Sequence, residues 1–144
     1  MEPGVSYAAL DPRTGERFLP LRRLLGVSSF GLNQLVLLPG QRGRIHRHER
    51  QEEVYLVLEG TLTLALEGGE RDLRPGELAR VAPEVRRQLC NRGPDRCVLI
   101  AIGGASPHSG RDGIAYESWG TSDGRPPQEV PLPDDLPPAE RRAR

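Results

Sequence analysis

The feature of this sequence that most restricts its fold is a rhythm of short apolar runs broken by turn residues. From Leu32 the chain reads LNQLVLLPG, GRIHRH, VYLVLEG, TLTLALEGGE, ELARVAP, VRRQLCNRG and CVLIAIGG, seven β-rich runs. Short strands with turn signals about every ten residues are the pattern of a sandwich or barrel. No helical period of comparable strength competes, and the Gly and Pro between runs would break one. The chain's 144 residues fit one domain of ordinary size. Residues 1–29 hold only short apolar clusters, Phe18-Leu19 and Leu24-Leu25, and are expected to form a loose N-terminal arm with a short strand. Residues 30–120 carry the barrel. Residues 121–144 contain six prolines and scattered charge, which leaves little apolar surface to offset the entropy of ordering, so an extended or disordered tail is expected.

Charge excludes several functions. Basic and acidic side chains are equal in number and the net charge is zero, so no global field gathers nucleic acid or an anionic membrane. Every basic side chain is Arg. Without Lys there is no Schiff-base amine and no Walker-type phosphate loop. The opening MEPGVSYAAL has no leader pattern, and no run approaches the ~18 apolar residues that span a bilayer, so a soluble, cytoplasmic protein is expected. Cys90 and Cys97 flank NRGPDR and could face each other across a hairpin, but two cysteines make no disulfide framework and are read as reduced structural thiols.

Two of the three histidines are His46 and His48. Residues i and i+2 of a strand share a face, which sets these imidazoles about 6 to 7 Å apart along the chain. The polar residues Glu49 to Glu52 read as a four-residue connection, which would place His48 opposite Glu53 on an antiparallel partner. Cross-strand Cβ atoms lie about 4.5 to 5.5 Å apart, close enough for Glu53 to share a coordination sphere with both histidines. Two imidazoles and a carboxylate suit a divalent transition metal such as Fe, Mn, Ni or Zn. A one-residue slip would substitute Glu52.

The string PGQRGRIHRHERQEEVYLVLEG resembles the first motif of the cupin superfamily, with Gly40, His46, His48, Glu53 and Gly60 at its fixed positions. The resemblance implies an all-β, double-stranded β-helix (jelly-roll) barrel with loose N- and C-terminal arms, and a metal held by His46, His48 and Glu53. It covers roughly residues 30–104. The segment RPGELARVAPEVRRQLCNRG resembles the second cupin motif at Gly76, Pro83 and Asn91, but Glu84 replaces a usual Gly and Arg87 stands where metal-binding cupins carry a last histidine. Cupins include dioxygenases, decarboxylases and isomerases, so the resemblance selects no reaction.

A guanidinium cannot ligate a metal. Three arrangements of Arg87 are open: clamping a small anionic ligand beside a three-ligand metal site, pairing with Glu53 in a metal-free pocket, or turning outward. Arg86 is expected to point away into solvent. His108 is a candidate fourth ligand, though its Gly- and Ser-rich surroundings favour a surface position. Tyr55 shares the inward face with Glu53 and is a candidate for ligand binding or proton transfer, with Glu59 at the strand's far end as the other proton carrier. Val54, Leu56 and Leu58 point outward as an apolar face, for which a homodimer is the expected cover. Ser106, His108 and Ser109 lack the G-x-S-x-G elbow of a hydrolase. GIAYESWG, with Tyr116 and Trp119, is expected to form a last strand or clasp. Function divides between a metal-dependent enzyme acting on a small carboxylate and a non-catalytic, metal-free binding or sensor module.

Overall fold

The structure, a computed structural model, describes residues 3–105 and 111–143; His108, Ser106 and Ser109 lie outside the described residues. Among the described residues, ten strands are joined in two antiparallel sheets. The first contains β1 (Phe18–Leu19), β2 (Gly31–Leu37), β9 (Cys97–Gly104), β4 (Glu52–Glu59) and β7 (Leu78–Val81), in that spatial order. The second runs β10 (Gly113–Tyr116), β3 (Ile45–His48), β8 (Arg87–Cys90), β5 (Leu62–Leu66) and β6 (Gly69–Leu73). One short helix, α1 (Leu21–Leu25), sits between β1 and β2. It ends at Gly26, whose φ of 76° lets its N–H return to the Arg22 carbonyl.

The strand alternation read from the sequence has a physical counterpart in the core. Tyr55, Val57, Val81, Leu99 and Ala101 of the first sheet pack against Leu62, Leu64, Leu73 and Leu89 of the second. Each buried aliphatic side chain here contributes about 1.5–3 kcal/mol relative to exposure. Gly60 marks the turn between β4 and β5 with φ 73°, and a Cβ there would collide with the Arg96 carbonyl. Only glycine fits that corner.

Several expectations are corrected. His48 and Glu53 are not hairpin partners: β3 pairs with β8 and β10, while β4 pairs with β9 and β7. The short link between β3 and β4 crosses from one sheet to the other, so the two residues meet through the barrel interior. Cys90 and Cys97 likewise end strands of different sheets, and both are buried free thiols. Their connection carries a cis Gly93–Pro94 bond.

Neither arm is loose. Gln34, fully buried, accepts from the Asp11 N–H and donates to its carbonyl, and the Ser6 hydroxyl donates to the Leu25 carbonyl. The tail is extended, apart from 3-10 turns at Pro127–Glu129 and Pro138–Glu140, but it is docked, with Val130 and Leu136 buried. Arg42 and Arg44 donate to the carbonyls of Asp134 and Val130. Composition missed this because proline lowers the entropy of the undocked chain, so few anchors suffice.

Candidate metal centre

The two sheets face each other across the interior and bring His46, His48 and Arg87 of the second together with Glu53 of the first. His46 stands opposite Arg87 in the β3–β8 register, and Glu53 stands opposite Gly103 in the β4–β9 register. A Cβ on Gly103 would approach within 2.7 Å of Gln51 Oε1 and 3.5 Å of Glu53 Cγ. Gly113, paired with His48, likewise leaves room beside that ring. Small residues on neighbouring strands thus make space for the polar side chains.

The geometry converges on one oxygen. Glu53 Oε1 lies 3.5 Å from His46 Nε2, 3.1 Å from His48 Nε2 and 3.0 Å from Arg87 Nη2, and it accepts from the Tyr55 hydroxyl at 2.5 Å. Potential ligand atoms of His46, His48 and Glu53 all fall within 4.8 Å of one another. The two rings are edge-on, their centroids 5.3 Å apart.

The opposite edge of each ring is fixed. His46 Nδ1 faces the Arg44 carbonyl at 3.2 Å, and His48 Nδ1 faces Asp112 Oδ1 at 2.8 Å. Carbonyl and carboxylate oxygens only accept, so Nδ1 carries the proton and Nε2 can offer its lone pair inward. Asp112 is held in turn by the N–H groups of Arg50 and Gln51 and by the Gln51 side-chain amide, each at 2.7 Å. A histidine whose outer nitrogen donates to a carboxylate is the usual support of a metal ligand.

The inner nitrogen of His48 is buried, and its short approach to Glu53 is not aligned as a hydrogen bond. A buried nitrogen without an aligned partner is costly in an apolar wall but suited to coordination. The donor set therefore fits a divalent ion.

Electrostatics support a charged pocket. Burial works against the Glu53 carboxylate, but the His46 and His48 rings beside it outweigh it and hold its pKa well below the usual value. Burial also works against His48 protonation, yet Glu53 and then Asp112 raise its pKa above 6.5. Asp112 is held below its ordinary value: burial opposes this, and the N–H groups of Gln51 and Arg50 prevail.

Arg87 faces inward and makes the ion pair with Glu53. It is fully buried, pairs with Glu53, donates from Nε to the Tyr55 hydroxyl at 3.2 Å, and from Nη1 to the carbonyls of Val85 at 2.6 Å and Pro83 at 3.3 Å. A guanidinium engaged in this way is part of the wall, which corrects its reading as an anion clamp.

Tyr55 is also inward and buried; desolvation, then Glu53, push its pKa well above 10, so it stays protonated. Glu59 is paired with Arg13 near the surface and does not reach the site. Glu52 turns away to Arg80. Arg86 is not solvated: it stacks 3.6 Å over the Tyr116 ring and donates to the Thr121 carbonyl, securing the clasp. Asp112 was not singled out in the sequence, and Gln51, expected in a solvated turn, is instead buried against it.

The triad opens into a cavity of about 840 Å³. Its walls include Tyr55, Ala101 and Leu89 from the barrel, Phe18 and Pro20 from the N-terminal segment, and Leu132 from the tail.

Comparison with known proteins agrees with this architecture. Residues 33–103 match the family model described as Cupin domain. The chain belongs to the cupin superfamily. It is similar to a cupin protein of Bacteroides fragilis at 18% identity and a TM-score of 0.64, covering 73% of this chain and 87% of that one. A cupin-superfamily sugar phosphate isomerase of Silicibacter pomeroyi is 27% identical with a TM-score of 0.59, over 81% and 79% of the two chains. A Klebsiella pneumoniae protein with a double-stranded β-helix domain is 18% identical with a TM-score of 0.56, over 62% and 76%. No curated protein sequence matches the chain.

Proposed function

We propose that this chain is a divalent-metal cupin that binds a small oxygen-bearing ligand in its barrel, with His46, His48 and Glu53 holding the ion. The observation that carries the reading is the paired imidazoles, each fixed at Nδ1 by an oxygen acceptor and turned with Nε2 toward Glu53 Oε1. His46, His48 and Glu53 would hold the ion, and its chemistry there would be Lewis acidity toward an oxygen of the ligand. Arg87 and Tyr55 orient Glu53, while Asp112 and Gln51 orient His48.

The interior is poor in groups that could exchange a proton at neutral pH. Tyr55 stays a phenol and Glu59 is elsewhere. The reading therefore rests on polarisation and positioning rather than on a protein general base. Resemblance to the Silicibacter pomeroyi enzyme makes sugar phosphates the first ligands to screen.

A specific observation favours a second reading, a metal-free binding barrel. Arg87 already neutralises Glu53 at 3.0 Å, so the pocket balances its buried carboxylate without an ion. Elemental analysis of protein purified without chelator or affinity tag decides between them. Near-stoichiometric Fe, Mn, Ni or Zn that disappears in His48→Ala supports the metal site. Absence from both proteins after each ion is supplied overturns it in favour of the metal-free barrel.

The homodimer belongs to the same proposal. Leu78 and Ile102, on the outer face of the β4–β9–β7 region, are 61% and 37% exposed, and a second copy would cover them. Light scattering that gives the monomer mass at micromolar concentration would refute it. No helix among the described residues is long and apolar enough to cross a membrane.

A further inference from the structure

We infer that the mouth of the cavity is an anion-recognition site, where Arg22, Arg23, Arg44 and Arg111 hold the phosphate or carboxylate end of a small molecule whose other end reaches the triad. The inference rests on reading the barrel cavity as the ligand site, and adds to it the class of ligand and the residues that select it.

Charge is distributed unevenly. The whole chain is neutral, yet among the described residues five arginines line this cavity, the four named and Arg17, against a single carboxylate, Glu53. Glu53 is itself paired with Arg87 inside the wall. Among the described residues, Arg22, Arg23, Arg44 and Arg111 have no carboxylate within ion-pair distance, and Arg17 reaches only Asp135, at 3.8 Å. Like charges gathered around a concave, low-dielectric surface repel one another unless an anion joins them.

The arginines are also positioned rather than merely abundant. Arg44 is anchored through Nε to the Val130 carbonyl at 2.6 Å, which leaves both terminal nitrogens for a ligand. Arg17 is anchored through Nη1 to the Arg42 carbonyl at 3.0 Å. Arg22 and Arg23 lie on α1, whose place over the mouth is set by Pro20 before it and by the left-handed Gly26 after it. Three separate segments therefore bring arginines to the lining of one cavity: α1, the residue before β3 and the residue before Asp112. Such forks suit a phosphate or carboxylate by paired N–H donation, and they favour a compact anion over a neutral molecule. Apolar lining from Phe18, Pro20, Leu35 and Leu132 leaves the middle of the ligand without charge recognition.

The test is calorimetric titration of the full-length protein with ribose 5-phosphate, malonate and uncharged ribose, at fixed ionic strength, with and without Mn²⁺. Ribose 5-phosphate or malonate should bind at least tenfold more tightly than ribose, and the tighter of the two identifies the headgroup. Arg23→Gln and Arg44→Gln should each lower that affinity about tenfold while Mn²⁺ uptake stays at the wild-type level. Arg74→Gln, an exposed change of equal charge away from the cavity, should leave both unchanged. Equal binding of charged and uncharged probes overturns the inference. So does a loss in Arg74→Gln as large as that in the mouth variants, since the effect would then be one of net charge. Because metal uptake is measured separately, anion binding that depends on the mouth in a protein that takes up no metal would sustain this inference while the metal reading falls.

Discussion

Replacing Arg87 by Met isolates the device that distinguishes this pocket. Methionine nearly fills the volume but removes the charge and the donors to Glu53, Tyr55, Pro83 and Val85. Arg87 is fully buried, so Glu53 would keep the hydrogen bond from the Tyr55 hydroxyl but lose both its permanent cation and the hydrogen bond from Arg87 Nη2. Breaking a buried pair from one side costs about 3–5 kcal/mol. For a chain of this size each kcal/mol moves Tm by roughly 2–4 °C, which places the metal-free variant about 6–20 °C below wild type. A divalent cation would restore a partner to Glu53. If 1.4 to 2.8 kcal/mol of the loss returns on binding, metal affinity rises about ten- to a hundredfold, since every ~1.4 kcal/mol is a factor of ten. Thermal melts in chelator and in Mn²⁺, with calorimetric titration of the metal, measure both quantities. A variant as stable as wild type in chelator would refute the buried-pair argument. Weaker metal binding by the variant would show that Arg87 supports the ion instead of competing with it.

Three further outcomes follow from the same geometry. Asp112→Asn keeps the shape and an oxygen for the Arg50 and Gln51 N–H groups but turns an NH2 donor toward His48 Nδ1, and should lower metal affinity about 10- to 100-fold; unchanged affinity would remove Asp112 from the site. Burial pushes the Cys90 thiol up to about 11 and, reinforced by Glu59, the Cys97 thiol up to about 12, so native protein at pH 8 should resist iodoacetamide and label two thiols per chain in urea, and rapid native labelling would contradict this. The depressed Glu53 pKa means its charged form stabilises the fold above the unfolded value near 4.5, and that contribution is lost as pH falls through the lower folded pKa. The Tm advantage of wild type over Glu53→Gln should therefore shrink on acidification below pH 4.5; a constant difference would show that the charge contributes nothing.

Much of this could be read from residue order, because strand alternation and turn chemistry are local. The runs from Leu32 to Gly104 became strands, and the i, i+2 spacing of His46 and His48 set both rings on one face. Glu53 was identified as their partner through a hairpin that does not exist. The residue was right because strands crossing between facing sheets bring inward side chains together, as a hairpin would have done. Arg87 was legible as an anomaly but not as a member of the wall. Its role depends on the register that sets it beside His46 and on carbonyls that come near only when β8 packs.

The sequence by itself determined the β architecture, the shared face of His46 and His48 and the absence of lysine chemistry, since periodicity and composition carry these. Tertiary structure alone decided that Asp112 fixes His48 across a separation of 64 residues, that Gln34 and the Pro-rich tail bind the arms to the barrel, and that arginines of a neutral chain gather at one mouth. Those contacts join segments with no shared pattern. Hydrogen bonding and charge act through space, and their partners are chosen only when the sheets close.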